Sequence, residues 1–362
     1  MHVIHTSAFG GGPNMLAILC AHLSGDFAME VVTDGQGDMP ARVEAAGTVV
    51  HRMDLTTKWS FASHIPRLAG LVRRRRPDLV HLHGQFAGSF GQIALALAGR
   101  PRNVYFVQWP SYLDDGGGWS RFRNRTAEKV SCDGATSVVC VSENDRREFI
   151  ARGLCAPEKL RVIHNAFSRD TQASRPPFAG GVPTIGFVGR LVDQKGCEYL
   201  VRAVPAVLEA HPDTRFLIVG DGLERPRLEA MARELGVSSA VEFAGYQPEP
   251  APLIERMDVV VVPSIYDPFP LVTLEAMILS RPVVGAAVGG IPEQVEDGRT
   301  GILVLPRDAG SIASALIRLI SQPQAAAAMG GAGRDSAKAR FSPEVISGQF
   351  ADLYRELLAT AS

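Results

Sequence analysis

Long apolar runs, paired cysteines and a leader-like start are all missing from this sequence. Its 362 residues include five cysteines that form no CxxC pair: Cys20, Cys132, Cys140, Cys155 and Cys197. Scattered cysteines in odd number are typical of reduced thiols, which predicts a cytoplasmic protein. No apolar run approaches the about 20 residues that a membrane-spanning helix needs, and the first residues predict a strand rather than a signal peptide.

The chain also lacks an excess of charge of either sign. Its formal net charge is −1, which argues against a dedicated nucleic-acid-binding protein. Neither GxxxxGKS/T nor a GxGxxG that follows a strand is present, so a P-loop is excluded and a hydride-transferring enzyme is disfavoured. Hydrophobic residues make up 46% of a chain long enough for two domains, as expected of a soluble α/β protein.

Strand and helix signals alternate along the whole chain, which predicts βαβ units and parallel sheets. Between residues 169 and 182, proline, glycine, serine and alanine dominate without periodicity, and we place an interdomain linker there. The predicted domains are therefore residues 1–168 and 183–340. A last helix, 343–358, lies beyond the second sheet and is free to pack elsewhere.

One stretch, Pro263 to Met277, joins a strand-like valine run to an apolar-periodic helix. Pro270 suits a helix start, where its missing N–H has no intrahelical partner. The amides of Leu271 and Val272 would then lie at a positive helix end that favours an anion. Asp267 and Glu275 flank that helix end. Three interpretations are open: an acid/base pair, acceptors of hydrogen bonds from sugar hydroxyls, or carboxylates that only stabilise the helix dipole.

Two further loops follow predicted strands and precede helices, which is where open α/β sheets bind ligands. The first carries Arg190, whose planar guanidinium can form bidentate hydrogen bonds, and Lys195, whose ammonium group is a compact positive charge. Both groups suit a diphosphate. The second carries Gly11 and Gly12, which permit close approach of the backbone to a phosphate or a sugar. A solvated loop and a ligand-free turn remain the alternatives.

The first half holds two weaker candidates for contact with an acceptor. His81 and His83 alternate along the predicted strand 79–83, and we interpret them as pointing to opposite faces, with His83 at the strand end. A core histidine is an equal alternative. Asp114 lies in a glycine-rich loop that is either an acceptor contact or an exposed flexible segment.

A basic run, Arg73 to Arg76, ends the predicted helix 63–75. Cations at a helix C-terminus complement the helix dipole, so a solvated helix end explains them. The alternative is a peripheral contact of the N-terminal domain with an anionic bilayer.

Taken together, these residues resemble the retaining family-4 glycosyltransferases of the GT-B fold, and the motifs follow the family's order over nearly the whole chain. The resemblance is strongest between residues 185 and 304. It rests on Gly189-Arg190…Lys195-Gly196, Val219-Gly-Asp-Gly222, Phe243-Ala-Gly245, Pro263-Ser…Asp267…Glu275-Ala-Met, Gly289-Gly-Ile-Pro-Glu293 and Asp297-Gly-Arg-Thr-Gly301. The first half is looser, with Gly11-Gly12, Pro77-Asp78-Leu-Val-His-Leu-His83-Gly84 and Val162-Ile-His-Asn165.

The resemblance implies two Rossmann-like domains that face each other across a cleft, with the final helix crossing back onto the first domain. It also implies the residues that hold a nucleotide diphosphate-sugar. Arg190 and Lys195 would bind the diphosphate, Glu275 the ribose and Asp267 the transferred sugar. The other implied donor-binding positions are Gly11, Gly12, Gly245, Pro270, Leu271 and Val272. Three departures from the family pattern are Asp267, where Glu is usual, Pro270, where Gly is frequent, and the segment Gln108-Trp109-Pro110, at a strand end where relatives often carry a histidine that faces the cleft.

The expected activity is hexosyl transfer from the nucleotide-sugar to an acceptor hydroxyl, with retention of configuration and without metal or cofactor. The acceptor would be a cell-surface polysaccharide, a lipid-linked sugar or a small metabolite, in the cytoplasm or at the inner face of the membrane. Two alternatives are a nucleotide-sugar 2-epimerase on the same fold and a weakly active, nucleotide-binding partner subunit.

Overall fold

The protein folds as two compact α/β units in a computed structural model. Residues 1–7, 10–53, 61–110, 117–167, 173 and 175–359 are described, apart from the side chains of 61 and 62. Unit 1 comprises residues 1–168 and 343–362, and unit 2 comprises residues 169–342. Unit 1 thus includes the last helix of the chain.

Unit 1 has a parallel sheet with helices between successive strands. Its strands are β1 (His2–Ile4), β2 (Glu30–Thr33), β3 (Val49–Arg52), β4 (Val80–His83), β5 (Asn103–Val107), β6 (Ser137–Cys140) and β7 (Leu160–Val162). Its helices are α1 (Gly11–Leu23), α2 (Met39–Ala45), α3 (Phe61–Arg75), α4 (Gly84–Leu97), α5 (Gly118–Gly134), α6 (Glu143–Ala151) and the last helix of the chain, α14 (Pro343–Ala359).

Unit 2 repeats this architecture. Its strands are β8 (Thr184–Val188), β9 (Arg215–Val219), β10 (Val241–Gly245), β11 (Val259–Val262), β12 (Val283–Ala286) and β13 (Gly301–Val304). Its helices are α7 (Cys197–Ala210), α8 (Arg225–Glu234), α9 (Ala251–Arg256), α10 (Leu271–Ile278), α11 (Ile291–Gln294), α12 (Ala309–Ser321) and α13 (Pro323–Phe341).

The strand order identifies both units as Rossmann-like. The sheets read β3-β2-β1-β4-β5-β6-β7 and β10-β9-β8-β11-β12-β13, and the paired strands are parallel. In each sheet the chain moves outward on one side of its first strand and then crosses to the other side. This reversal creates a switch point beside β1 in unit 1 and beside β8 in unit 2. The predicted pair of Rossmann-like α/β domains is confirmed.

Residue type explains why the strands form. β11 consists of four valines that are all buried, as required of a central strand covered on both faces by helices. Its neighbours β8 and β12 are also mainly apolar, and side chains from both join those of α7 and α12 in one core. These buried strands hold the loops at their carboxyl ends in fixed positions.

Two helices begin with glycine or proline in their first turn. α1 begins at the glycine pair Gly11 and Gly12. Pro13 permits this start, because a proline in the first helical turn has no intrahelical bond to lose. α9 likewise begins at Ala251 and has Pro252 in its first turn.

The basic run at the end of α3 is partly engaged within unit 1. Arg75 donates two hydrogen bonds of 2.8 and 3.1 Å from Nε to the carboxylate of Glu30, and Arg73 donates to the carbonyl of Leu97. Arg74 and Arg76 are exposed. Within the described ranges, no helix is long and apolar enough to cross a membrane.

Three histidines form a buried cluster between β1, β4 and α14. His81 and His83 stack with their ring centroids 4.1 Å apart, and His2 Nδ1 lies 2.9 Å from His83 Nε2. His81 Nδ1 lies 2.6 Å from the hydroxyl of Tyr354 on α14. The prediction that His81 and His83 point to opposite faces is wrong, because residues two apart on a strand share a face.

Burial favours the neutral form of these rings. It lowers the pKa of His83 to about 3 and holds the pKa values of His2 and His81 well below the ordinary 6.5. The buried amine of Met1 is the neighbouring basic group, and its pKa is lowered to about 6. The unfolded chain therefore binds more protons than the folded chain as the pH falls below 6.5.

We expect unit 1 to lose stability between pH 6.5 and pH 5. Each buried histidine lowers the unfolding free energy by up to about 1.4 kcal/mol per pH unit in this window, because protons bind only to the unfolded state. Hydrogen exchange of the β1 and β4 amides, corrected for intrinsic rates, measures the loss. His81→Gln should weaken the pH dependence by about one proton relative to the parent protein. A pH dependence equal to that of the parent would contradict this account.

Candidate active site

The loops that follow β8 and β11, on either side of the unit 2 switch point, are fastened to each other. The amide of Ile265 donates to the carbonyl of Gln194 at 2.8 Å, and Gln194 Nε2 donates to the carbonyl of Tyr266 at 3.0 Å. Gly196 has φ 63°, and a Cβ there would lie 2.1 Å from the carbonyl oxygen of Pro263. Glycine is therefore required at this contact.

An ion pair completes this connection. Lys195 Nζ lies 2.5 Å from Asp267 Oδ2, and Ser264 Oγ lies 3.4 Å from the same oxygen. Asp267 is only 4% exposed, whereas about a fifth of the Lys195 side chain is accessible, at 21%. Because an ammonium group has three donors, Lys195 can hold Asp267 and still donate to a ligand. We predicted both residues at the site but not their pairing.

Arg190 offers a second positive charge on the same loop. Its side chain is exposed and has no ion-pair or hydrogen-bond partner among the described residues. The loop backbone is fixed, because the amide of Gly189 donates to Val219 at 3.0 Å and that of Leu191 donates to Asp221 at 2.9 Å. The guanidinium is thus available to a ligand, and the loop that carries it is fixed by backbone hydrogen bonds.

The start of α10 provides amide donors next to the ion pair. Pro270 is the N-cap residue and no side chain caps the helix. The first amides of a helix, here those of Leu271 and Val272, have no intrahelical partner. Gln294 Nε2 donates to the carbonyl of Pro270 at 3.0 Å, which fixes the turn that leads into the helix. This end of α10 can accept an anion.

Glu275 lies one turn into α10 and is half-buried. Burial raises the pKa of its carboxyl group. Within the described part of the chain, this carboxyl group has no hydrogen-bond or ion-pair partner. A carboxyl group that is buried without a partner costs free energy. A ligand hydroxyl that donated a hydrogen bond to Glu275 would remove that cost.

Gly245 ends β10, two strands from β8. Its carbonyl accepts a hydrogen bond of 2.8 Å from the amide of Gly220, and its φ is 71°. Gly245 therefore lies at the carboxyl edge of the unit 2 sheet, where its backbone supports the loop that carries Gly220.

The glycine pair of unit 1 occupies the first turn of α1. No side chain caps this helix, and Gly11 is exposed. A Cβ on Gly12 would lie 2.4 Å from Gln108 Oε1, so the side chain of Gln108 occupies the space that this glycine leaves. The sequence pattern predicted close approach of a ligand at Gly12, whereas the structure shows close approach of a side chain.

The two acceptor-side candidates have different outcomes. His83 is completely buried and belongs to the histidine cluster, so its side chain is not available to an acceptor in this structure. Core packing, the alternative reading of this residue, describes its position. Asp114 lies outside the described residues.

Sequence reasoning missed His5 and Asp34 at the carboxyl edge of the unit 1 sheet, and it named Gln108 only as part of a departure from the family pattern. His5, Asp34 and Gln108 follow β1, β2 and β5 directly. Each has a buried polar atom without a hydrogen-bond partner within the described ranges: His5 Nδ1, Asp34 Oδ2 and Gln108 Nε2. The sequence signal that could have identified these residues is a polar residue directly after a buried strand.

The fold matches that of known structures. HepE of Anabaena, solved in complex with UDP and glucose, superposes with a TM-score of 0.82 at 22% identity over 98% of each chain. Sucrose-phosphate synthase of Thermosynechococcus elongatus gives a TM-score of 0.80 at 24% identity over 99% of each chain. The chain therefore has the GT-B fold.

Sequence comparison identifies the family. Residues 182–322 match the model described as glycosyl transferases group 1, and residues 10–166 match the glycosyl transferase 4-like domain. A D-inositol 3-phosphate glycosyltransferase of Corynebacterium urealyticum is 40% identical over 77% of this chain and 72% of its own. An uncharacterized glycosyltransferase of Methanocaldococcus jannaschii is 30% identical over 81% of this chain and 80% of its own. The chain belongs to the glycosyltransferase family.

A double-mutant cycle tests the Lys195–Asp267 pair. Lys195→Ala and Asp267→Ala should each lower the unfolding free energy of unit 2 by about 1–3 kcal/mol, because each leaves the other charge partly buried and unpaired. The double variant should lose less than the sum of the two, by about 1 kcal/mol or more.

The matched control is the exposed pair Arg299 and Glu296, whose atoms lie 2.6 Å apart. Solvent screens this pair, so its cycle should show a smaller coupling. Additive losses at Lys195 and Asp267 would show that the pair contributes nothing in solution.

Proposed function

We propose that the protein transfers a hexose-type sugar from a nucleoside diphosphate-sugar to an acceptor hydroxyl, with retention at the anomeric carbon. The observation that carries the proposal is the convergence of Lys195, Arg190 and the uncapped start of α10 at one edge of unit 2. Two cations and a set of free amides suit a diphosphate, which carries negative charge on adjacent groups.

Each residue then has a defined role. Lys195 and Arg190 bind the diphosphate, and the amides of Leu271 and Val272 donate to its oxygens. Glu275 accepts hydrogen bonds from the ribose hydroxyls, which its unpartnered, half-buried carboxyl group favours. Asp267 holds Lys195 through Oδ2 and contacts the transferred sugar.

Catalysis follows from the charge that develops during transfer. As the bond between the sugar and the diphosphate breaks, negative charge grows on the leaving oxygen. Lys195, Arg190 and the start of α10 stabilise the charge in the transition state more strongly than they stabilise the charge of the bound donor. The acceptor approaches the same face of the sugar that the diphosphate leaves. The departing oxygen takes the proton of the acceptor hydroxyl, so configuration is retained.

Metal is not required in this proposal, because Lys195 and Arg190 supply the positive charge that a divalent ion supplies in other transferases. The proposal assigns to this chain no cofactor besides the donor. The complexes of HepE with UDP and UDP-glucose support a uridine nucleotide as the first donor to test.

The acceptor belongs to polysaccharide, glycolipid or glycosylated-metabolite synthesis in this proposal, and the reaction takes place in the cytoplasm. Two curated relatives are named for glycogen synthesis and for D-inositol 3-phosphate glycosylation, which supports a hydroxyl-rich acceptor. Peripheral contact with an anionic membrane would use Arg74 and Arg76, the exposed part of the α3 basic run.

Substitution of Lys195 tests the donor site. Lys195→Ala should lower the rate of sugar transfer by about tenfold or more and weaken the binding of the nucleoside diphosphate, because charge stabilisation is lost. Transfer kinetics and titration calorimetry with UDP and GDP measure the two effects. Arg233→Ala, which removes an exposed cation from α8, is the matched control and should change neither.

Three results would contradict the proposal. Unchanged kinetics in Lys195→Ala would exclude the diphosphate role. Loss of activity with EDTA would exclude metal independence. An altered sugar nucleotide formed from the donor alone would indicate an epimerase instead.

A further inference from the structure

The donor turn, residues 267–270 between β11 and α10, has contacts besides the pair that Asp267 forms with Lys195. Phe269 lies within this turn and is only 3% exposed. Its ring packs edge-on against the ring of Phe341, with the two centroids 5.4 Å apart and the ring planes at 72°. Phe341 is the last residue of α13 and is completely buried. The donor turn thus packs against a helix to which the proposed function assigns no donor contact.

Two prolines link the position of the Phe269 ring to the path of the backbone. Pro268 and Pro270 lie on either side of Phe269, and each has a φ that its own ring fixes. A residue that precedes a proline is restricted to extended conformations, and this applies to Asp267 and to Phe269. Few torsion angles of the donor turn remain free. A shift of the Phe269 ring would therefore displace Asp267 and the start of α10.

The loop after β12 holds the same turn through its backbone. The amide of Gly290 donates to the carbonyl of Asp267 at 3.0 Å. A Cβ on Gly289, whose φ is 54°, would lie 1.9 Å from that carbonyl oxygen. A Cβ on Gly290 would lie 2.1 Å from the carbonyl oxygen of Pro268. The glycine pair therefore permits a contact with the donor turn that any side chain would prevent.

The last turn of α13 contacts this second support as well. Arg340 donates from Nη2 to the carbonyl of Glu293 on α11 at 2.6 Å. Its guanidinium carbon lies 4.6 Å from the centroid of the Phe341 ring. The same short helix α11 carries Gln294, which donates to the carbonyl of Pro270. The end of α13 is thus fixed both to the donor turn and to the helix that holds the last residue of that turn.

We propose that Phe341 is a positioning residue of the donor site. Its ring holds Phe269, and the proline-restricted turn then sets where the Lys195–Asp267 pair and the first amides of α10 lie relative to the leaving diphosphate. Groups that stabilise developing charge are most effective when they are fixed before the reaction begins. This inference rests on the proposed transfer reaction, to which it adds a residue that acts through Phe269.

The experiment replaces one buried aromatic ring at a time. Phe341→Leu keeps an apolar residue but removes the edge-on contact and opens space next to the donor turn. Phe216→Leu is the matched control, because Phe216 is 1% exposed in the core of unit 2 but lies near the start of β9, away from the carboxyl edge. Both substitutions are also made in the Lys195→Ala background.

Four quantities are measured for each variant. Calorimetry gives the affinities for UDP and GDP. Release of the nucleoside diphosphate from UDP-glucose and GDP-mannose, with water as the acceptor, gives kcat and the donor KM. Hydrogen exchange of peptides that cover residues 263–279 reports the mobility of the donor turn and α10, and thermal unfolding reports stability. If Phe341→Leu does not fold, Phe341→Met, a smaller change at the same position, is measured by the same criteria.

We expect Phe341→Leu to lower kcat by about tenfold or more and to change nucleotide affinity by less than about threefold, since lost preorganisation weakens transition-state binding more than ground-state binding. Hydrogen exchange in 263–279 should become faster. Phe216→Leu should lower thermal stability while kcat and this exchange stay at the parent's level. In the Lys195→Ala background, Phe341→Leu should have a smaller effect on kcat, because part of the charge stabilisation that it supports is already lost.

Three results, each with nucleotide binding and donor cleavage by the parent intact, would overturn the inference and leave the donor site standing. The first is a kcat for Phe341→Leu equal to that of Phe216→Leu. The second is the same proportional loss of kcat with and without Lys195, which a general loss of folded protein would produce. The third is unchanged hydrogen exchange in 263–279. A parent protein that binds neither nucleotide and cleaves neither donor would overturn the proposed function and this inference with it.

Discussion

Parallel pairing of the strands is the constraint on which the candidate site depends. In a parallel sheet each strand needs a crossover helix, so the loops that follow the strands all leave from the same edge. The order of strands reverses beside β8, and the loops after β8 and β11 are therefore neighbours although Lys195 and Asp267 are 72 residues apart. The same reversal beside β1 brings the residues after β1, β4 and β5 together in unit 1.

The Lys195–Asp267 pair turns this topology into a site of defined charge. Without Asp267 the ammonium would lack a partner when no ligand is bound, and without Lys195 a nearly buried carboxylate would be left alone. Because Gln194 and Gly196 fasten the same two loops, the pair is held in place before a ligand arrives. Such preorganisation lowers the cost of stabilising charge in the transition state.

Local pattern was sufficient to predict some features of the molecule and insufficient for others. The valine run at β11 and the proline before α10 predicted a strand, a turn and a helix start, because burial and backbone geometry act over a few residues. The pairing of Lys195 with Asp267 could not be predicted in this way, since it depends on which strands become neighbours. His83 was misjudged because neither its burial nor its partner His2 on the adjacent strand is visible in local sequence.

A crystal structure of the protein with a bound nucleoside diphosphate tests the central claim most directly. The account predicts phosphate oxygens within about 3 Å of Lys195 Nζ and of the amides of Leu271 and Val272, with the ribose hydroxyls on Glu275. A diphosphate bound away from the start of α10, with Lys195 contacting only Asp267, would contradict it.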